Sequence, residues 1–320
     1  MKQNICILCE SSDIKLLLTG RDRLMGVPGE FNVLECAKCG FKFTDPGSIK
    51  ADLREYYPED YSPYKTEESG EPKNGLSFKN RIKKAFKNSP AGPLLTALAR
   101  ADAPPCPDLP RGAEVLEIGC ASGNFLASIE NKGWNLHGVE LSDFASDKAR
   151  ERGLDVFSGT LEQAKFPDDH FNAVFAFQVV EHLPDPLATL REINRITVKG
   201  GCFIFSIPNA DCWEFKLFRD RWSALDLPRH LCHFGPATIK KILGKAGFKM
   251  DHIYFQKNFN NVFGSLAYLF EDVFGANFLS RYLRSIPNTS GMLWKVALLP
   301  LTVILAKMGQ SGRLTVVASK

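Results

Sequence analysis

From residue 111 onward, short apolar runs bounded by Gly, Asp or Asn alternate with longer stretches whose apolar positions recur at helical spacing. Glu114–Ile118, Leu136–Glu140, Asp155–Phe157, Ala173–Phe177 and Cys202–Ile207 read as strands, and Phe125–Lys132, Phe144–Arg152, Pro186–Ile196 and Ala237–Ala246 as the helices between or after them. The succession predicts an α/β fold with a doubly wound sheet, whose ligands lie at the carboxyl ends of the strands. Met250–Phe255 and Leu314–Ala318 read as a sixth and a seventh strand. Residues 259–312 between them are far more apolar than a solvated loop, with one Phe- and Leu-rich segment over Val262–Phe278 and another over Met292–Ala306.

Five segments follow: a cysteine module (1–60), a connector with a Pro-rich linker (61–110), an α/β core (111–258), an apolar helical insertion (259–312) and the core's last strand (313–320). Hydrophobic residues make up 44% and charged residues 24%, the balance of a soluble globular protein. The first residues lack the apolar run of a signal peptide, and no stretch reaches the length of a spanning helix, so a cytoplasmic protein is expected. The net charge of +4 is too small to point by itself to nucleic acid. The aromatic run Leu53–Tyr64 suits packing of the first module onto the core better than substrate contact, and the basic stretch Lys79–Lys87 reads as a solvated helix face. Leu94–Ala99 reads as a short helix ahead of the linker.

Nine cysteines without an export signal argue for metal binding or buried thiols rather than a disulfide framework. Cys6 and Cys9, and Cys36 and Cys39, are two CxxC pairs separated by 26 residues. A two-residue gap lets both thiolates of one turn face a single ion, so two such turns fill a tetrahedral zinc shell. Gly40 follows the second pair, where a positive φ is wanted, and Ile14–Thr19 and Phe31–Leu34 suit strands joining the two turns. A closed four-cysteine site has no open position for catalysis, so a structural zinc is expected.

Glu114-Val-Leu-Glu-Ile-Gly-Cys-Ala-Ser-Gly-Asn-Phe-Leu126 is a buried strand running through a small-residue turn into a helix. Gly119 and Gly123 would let a ligand approach the backbone. A dinucleotide fingerprint starting at Gly119 fails at its second and third glycines, which are Ala121 and Asn124. Glu117 puts a carboxylate just before the turn, a poor neighbour for two phosphates but suited to a cationic sulfonium with an ammonium group. Glu140 closes the second strand 21 positions after Gly119, where a carboxylate can hold ribose hydroxyls.

Glu117–Gly123, Val139-Glu140, Phe171–Pro186, Lys199–Asn209, Arg229–Phe234 and Ala246–Phe248 together resemble the successive motifs of class I S-adenosylmethionine-dependent methyltransferases. The resemblance covers most of residues 111–256 and implies a Rossmann-like, seven-stranded mixed sheet in which the last two strands are antiparallel neighbours. It implies that Gly119, Cys120, Ala121 and Gly123 line the methionine part of S-adenosyl-L-methionine. Glu140 and Leu141 would lie at the ribose, Thr160 and Leu161 beside the adenine, and Gln178 near the methionine carboxyl, with Glu117 before the turn. Ala121 departs from the family's middle glycine, and Thr160 from an acidic residue found in many members.

Methyl transfer is an in-line displacement, so the protein must align the acceptor and, for a hydroxyl, remove its proton. The candidate bases are His182, just past the fourth strand, and His230 and His233 in the loop after the fifth, with Asp226 as a possible partner. These histidines with Asp226 match no metal-ligand spacing. The expected reaction is O- or C-methylation of a small-molecule, sugar or lipid-linked acceptor. Two alternatives are an RNA methyltransferase that binds through the zinc ribbon and a non-catalytic cofactor-binding module. Residues 259–312 suit a lid, extra core or a peripheral membrane contact.

Overall fold

The computed structural model describes residues 5–50, 53–56, 105–257, 259–289 and 291–320. The expected basic face Lys79–Lys87, the helix Leu94–Ala99 with its linker, and all of the aromatic run after Tyr56 lie outside the described residues. The described residues form two sheets. The larger contains β4 (Glu114–Ile118), β5 (Asn135–Glu140), β6 (Asp155–Ser158), β7 (Phe171–Phe177), β8 (Thr197–Pro208), β10 (Lys249–Phe255) and β11 (Arg313–Ser319). Its strand order is β10-β11-β8-β7-β4-β5-β6. Strands β4 to β8 pair in parallel, while β11 runs antiparallel to both β8 and β10. This is the expected mixed, doubly wound sheet. The chain winds outward from β4 through β5 and β6, then returns to β7 beside β4, which leaves a crevice outside the carboxyl ends of β4 and β7.

The central strands are buried along almost their whole length, as a sheet covered on both faces requires. Helices α1 (Asn124–Ile129), α2 (Asp143–Arg150), α3 (Leu161–Ala164), α4 (Pro186–Ile196), α5 (Trp213–Phe218) and α6 (Pro236–Lys245) follow the strands. Helix α4 begins at the expected residue because Asp185 accepts from the Ala188 amide and Pro186 occupies the first turn. Helix α1 stops at Ile129, and a 3₁₀ turn carries the chain to Lys132 before Gly133 ends it at φ +71°.

The smaller sheet has the order β1-β2-β3-β9, where β1 is Ile14–Gly20, β2 Phe31–Cys36, β3 Lys42–Thr44 and β9 Cys232–His233. Three strands come from the cysteine module, and the fourth comes from the loop after β8. Every pairing is antiparallel, with Phe43 opposite Cys232 and Lys42 opposite His233. Leu8, Phe41 and Phe43 of the module share one buried cluster with Leu231, Phe234, Ile239 and the sheet residues Leu116, Phe203 and Phe205. A second cluster joins Phe31, Val33 and Tyr56 to Phe215, Trp222, Leu227 and Val262.

The insertion folds as three helices, where the sequence suggested a pair: α7 (Asn260–Phe274), α8 (Phe278–Thr289) and α9 (Gly291–Lys307). The Phe- and Leu-rich segment is cut at Gly275, which lies at φ +70° and caps α7 through its amide to Glu271. No helix among the described residues is long and apolar enough to cross a membrane. Val273, Phe274 and Phe278 are nonetheless mostly exposed where α7 meets α8.

Candidate active site

The turn after β4 bends through three left-handed residues, Gly119 (φ +67°), Ala121 (+46°) and Gly123 (+75°), before α1 begins. A Cβ on Gly119 would lie 2.5 Å from Val179 Cγ2, and one on Gly123 2.2 Å from Leu154 Cδ1, so neither position tolerates a side chain. Ala121 takes the same left-handed conformation at a steric cost that glycine would avoid. Glu140 holds the turn: one carboxylate oxygen accepts from the Ala121 amide and the other from the Ser142 amide, both at 2.9 Å. Each oxygen keeps a lone pair for a further donor.

Glu117 is buried beneath this turn, and its Oε2 has no hydrogen-bond partner. Burial, reinforced by the nearby Glu140 carboxylate, pushes its carboxyl well above the ordinary range. A buried carboxyl with an unsatisfied oxygen next to a small-residue turn fits a cationic ligand and disfavours phosphates.

The remaining expected cofactor residues divide into two groups. Gln178 ends β7 at φ +57° and donates from Nε2 to Ser206 Oγ at 3.2 Å; Leu141 is exposed beside Glu140. Three others have their side chains in structural use. Cys120 is buried with its Sγ directed toward Gly138, and burial raises its thiol pKa. Thr160 caps α3 in a reciprocal pair with Gln163, and Leu161 is packed in the core.

The three candidate histidines lie close together, and burial depresses all of them to about 3, helped for His182 by His230, for His230 by His233 and for His233 by Lys42. They are neutral imidazoles at ordinary pH. His182 donates from Nδ1 to the Arg229 carbonyl (3.1 Å), and His230 from Nδ1 to the Ala224 carbonyl (2.9 Å). Their rings meet edge to face at 4.6 Å. Asp226 Oδ2 lies 3.9 Å from His230 Nε2. His233 is held differently. Thr44 spends its single hydroxyl proton on the His230 carbonyl at 2.6 Å, so His233 Nε2 must donate to Thr44 Oγ1 at 3.1 Å. Its proton-bearing nitrogen therefore faces the junction between β3 and β9.

Glu181, not singled out in the sequence as a site residue, completes this group. It is fully enclosed, neither carboxylate oxygen has a partner, and burial pushes it up to about 8. One ligand atom from each of Glu181, His182 and His230 falls within 4.8 Å of the others. The signal was local: an acidic residue directly before His182 at the end of a core strand.

In the cysteine module, Cys6 and Cys39 place their sulfurs 3.5 Å apart, as do Cys9 and Cys36, and all four lie within 4.8 Å of one another. Two knuckles of the same form bring them together. The Glu10 amide donates to the Cys6 carbonyl and the Gly40 amide to the Cys36 carbonyl, both at 2.8 Å; Glu10 and Gly40 are left-handed at φ +60° and +71°. A tetrahedral zinc with sulfur at about 2.3 Å needs sulfurs roughly 3.8 Å apart, so the four thiols suit that ion.

The loop carrying the histidines is fastened to this module. Arg229, with no exposed side-chain surface, makes two parallel bonds to Asp22 (2.6 and 2.9 Å) and two to Asp226 Oδ1 (2.7 and 3.0 Å). Burial alone would raise the Asp22 carboxyl, but the Arg229 guanidinium and the amides of Met25 and Val27 outweigh it and hold it below the usual range.

A model of the methyltransferase domain family matches residues 90–253, which is just over half of the 320 residues. The chain belongs to that family. Over 129 residues it is 30% identical to the malonyl-[acyl-carrier protein] O-methyltransferase of Serratia marcescens, covering 40% of this chain and 50% of that protein. Over 142 residues it is 31% identical to a probable S-adenosylmethionine-dependent methyltransferase of Mycolicibacterium smegmatis, covering 44% and 53%. The chain thus spans about half the length of these curated relatives. Among solved structures, an S-adenosylmethionine-dependent methyltransferase from Mesorhizobium loti aligns over 73% of this chain and all of its own, with a TM-score of 0.46 and 16% identity.

Proposed function

We propose that the protein transfers a methyl group from S-adenosyl-L-methionine to an oxygen or carbon of a small-molecule, sugar or lipid-linked acceptor. The observation that carries this is the pairing of the Gly119–Gly123 turn with two buried carboxyls of different standing. Glu140 is engaged by backbone amides and keeps lone pairs for ribose hydroxyls, while Glu117 keeps one unsatisfied oxygen and fits the donor's cationic amino acid part. The donor supplies an electrophilic methyl; the residues orient it and exclude water. Gly119, Ala121 and Gly123 would face the methionine part through backbone, Gln178 its carboxyl, and Leu141 the ribose. Cys120, Thr160 and Leu161 would contribute backbone alone, since their side chains are committed elsewhere.

Of the three candidate bases, the reading narrows to His182 and His230, because His233 is fixed as a donor at the β3–β9 junction. The four cysteines would hold a structural zinc whose role is to keep β3 in place and, through it, the acceptor loop. The oxygen acceptor is favoured by the O-methyltransferase relative. The exposed Val273, Phe274 and Phe278 favour a peripheral membrane contact or a lipid-linked acceptor.

Calorimetry with S-adenosyl-L-methionine tests the donor site. Glu140→Ala removes a charged acceptor worth about 1.5–3 kcal/mol, so affinity is expected to fall roughly 10- to 100-fold. Unchanged affinity in a folded variant, or tighter binding of NAD than of the methyl donor by the parent protein, would overturn the assignment.

A further inference from the structure

We infer that Glu181, His182 and His230 form a second metal site, distinct from the four cysteines, that takes a divalent transition-metal ion at the carboxyl edge of the large sheet. Three observations converge. The ligand atoms of the three side chains lie within 4.8 Å of one another. Both Glu181 oxygens are buried without a hydrogen-bond partner, an arrangement that costs free energy unless something else occupies their lone pairs. His182 and His230 each donate Nδ1–H to a backbone carbonyl, which fixes the tautomer with the lone pair on Nε2. Metal-ligating imidazoles are oriented by that same kind of bond.

A simpler account of Glu181 would be a buried ion pair with Arg313, the first residue of β11. The buried Arg313 guanidinium does attract the Glu181 carboxyl at a distance, but no hydrogen bond or salt bridge joins the two side chains and Arg313 Nε is itself without a partner, so the lone pairs of Glu181 stay unoccupied. The surrounding carboxyls do not neutralise the cluster among themselves either. Asp226 is bound to Arg229, and Glu214 accepts from Trp222 Nε1. A second group, Glu114, His137 and His170, contrasts at the opposite ends of the strands. There His137 already bonds Glu114 and Asp155, each at 2.8 Å, so the carboxylates are satisfied without an ion.

Two imidazoles and a carboxylate suit Zn²⁺, Mn²⁺ or Fe²⁺ better than Mg²⁺, and three protein ligands leave positions open. His182 is the half-buried member of the three. On the methyl-transfer reading, an ion held there would lower the pKa of an acceptor hydroxyl bound at an open position, so that its proton passes to solvent without a histidine base. That role rests on the proposed function; the site itself does not.

The experiment therefore reads metal binding directly. Protein dialysed against Zn²⁺ and analysed for metal is expected to hold two ions per chain, and Glu181→Gln and His230→Ala one each. With one zinc in the cysteine site, added Mn²⁺ should give the electron paramagnetic resonance signal of one bound ion per chain. Mn²⁺ affinity should drop at least 10-fold in both variants and stay unchanged in His233→Gln. Thermal melts and the retained cysteine-bound zinc verify folding. One zinc per parent chain with no bound Mn²⁺, or Mn²⁺ affinity untouched in both folded variants, overturns the site. Binding of S-adenosyl-L-methionine, measured separately, fails or survives independently of these results.

Discussion

Arg229 and Glu181 are both fully buried, lie on neighbouring segments linked by the hydrogen bond from the Leu231 amide to the Glu181 carbonyl, and are satisfied in opposite ways. Arg229 has Asp22 on one side, Asp226 on the other and backbone carbonyls besides. Glu181 has no hydrogen-bond partner for its side chain. Buried charges are tolerable when paired and expensive when not. The difference separates a junction that holds the molecule together from a site prepared for something else. Glu117, with one oxygen unpartnered and the carboxyl otherwise bonded by the Leu126 backbone, lies nearer to Glu181, and Lys42, bound to Asp211 at 2.8 Å, belongs with Arg229.

The hardest way to break this comparison is Arg229→Met. Removing the guanidinium leaves Asp22, whose side chain has no exposed surface, as an uncompensated buried carboxylate, so a loss of about 3–5 kcal/mol is expected in urea denaturation. Adding Asp22→Leu should recover only part of it, because Asp22 also accepts from the amides of Leu24, Met25 and Val27. A single-variant loss below about 1 kcal/mol would mean that the junction is no better matched than the Glu181 cluster.

Glu214 stands between the two extremes, with one buried oxygen accepting from Trp222 Nε1, and it sharpens the comparison. Burial, tempered by that bond, raises its carboxyl to about 7 from an ordinary 4.5. The folded state therefore prefers the protonated form. Its contribution to stability is complete below pH 4.5 and is lost as pH rises through about 7, a change of about 3 kcal/mol. Glu214→Gln keeps an acceptor for Trp222 and does not titrate. It should match the parent near pH 4.5 and exceed it by up to about 3 kcal/mol at pH 8.5. His182 and His230, depressed to about 3, act in the opposite window, withdrawing stability as pH falls below 6.5; they are common to both proteins and cancel. Parallel stability curves for parent and variant would remove Glu214 from the set of strained carboxyls.

The large sheet was legible because its central strands are short, mostly apolar runs and its helices are periodic: seven strands and α4 fall within a few residues of expectation. The clustering of the four cysteines was legible because each CxxC pair forms its own turn from local spacing. What the sequence concealed is non-local. Nothing in Cys232-His233 shows that two residues of a loop complete the sheet of a module almost 190 positions earlier, or that Asp22 meets Arg229 across 207 positions. His233 looked like a base because it stands three residues after His230, yet Thr44 decides its tautomer. Glu181 was passed over although it stands directly before His182 at the end of a core strand, because only burial, which is non-local, shows that its carboxyl has lost its other partners. Cys120, Thr160 and Leu161 carry side chains that are buried or used in capping, and a linear motif does not say which way a side chain points.

The donor turn offers the smallest and most selective measurement. Ala121 departs from the family's glycine and lies at φ +46°, a left-handed conformation that costs an alanine about 1–2 kcal/mol relative to glycine. Ala121→Gly relieves that strain but frees the unfolded chain by about 0.4–1 kcal/mol, so a net gain of about 0.5 kcal/mol is expected. The Ala121 amide stays bound to Glu140, and methyl-donor affinity should not change. Gly119→Ala probes the same turn in the opposite sense. It adds a Cβ 2.5 Å from Val179 Cγ2 at φ +67°, so it should cost both stability and donor affinity. If Ala121→Gly gained stability but weakened donor binding, the strain at Ala121 would be part of how the turn meets the donor. The turn would then join Glu117 and Glu181 among the features held in an unfavourable state for a ligand, and the departure at Ala121 would no longer be a neutral substitution.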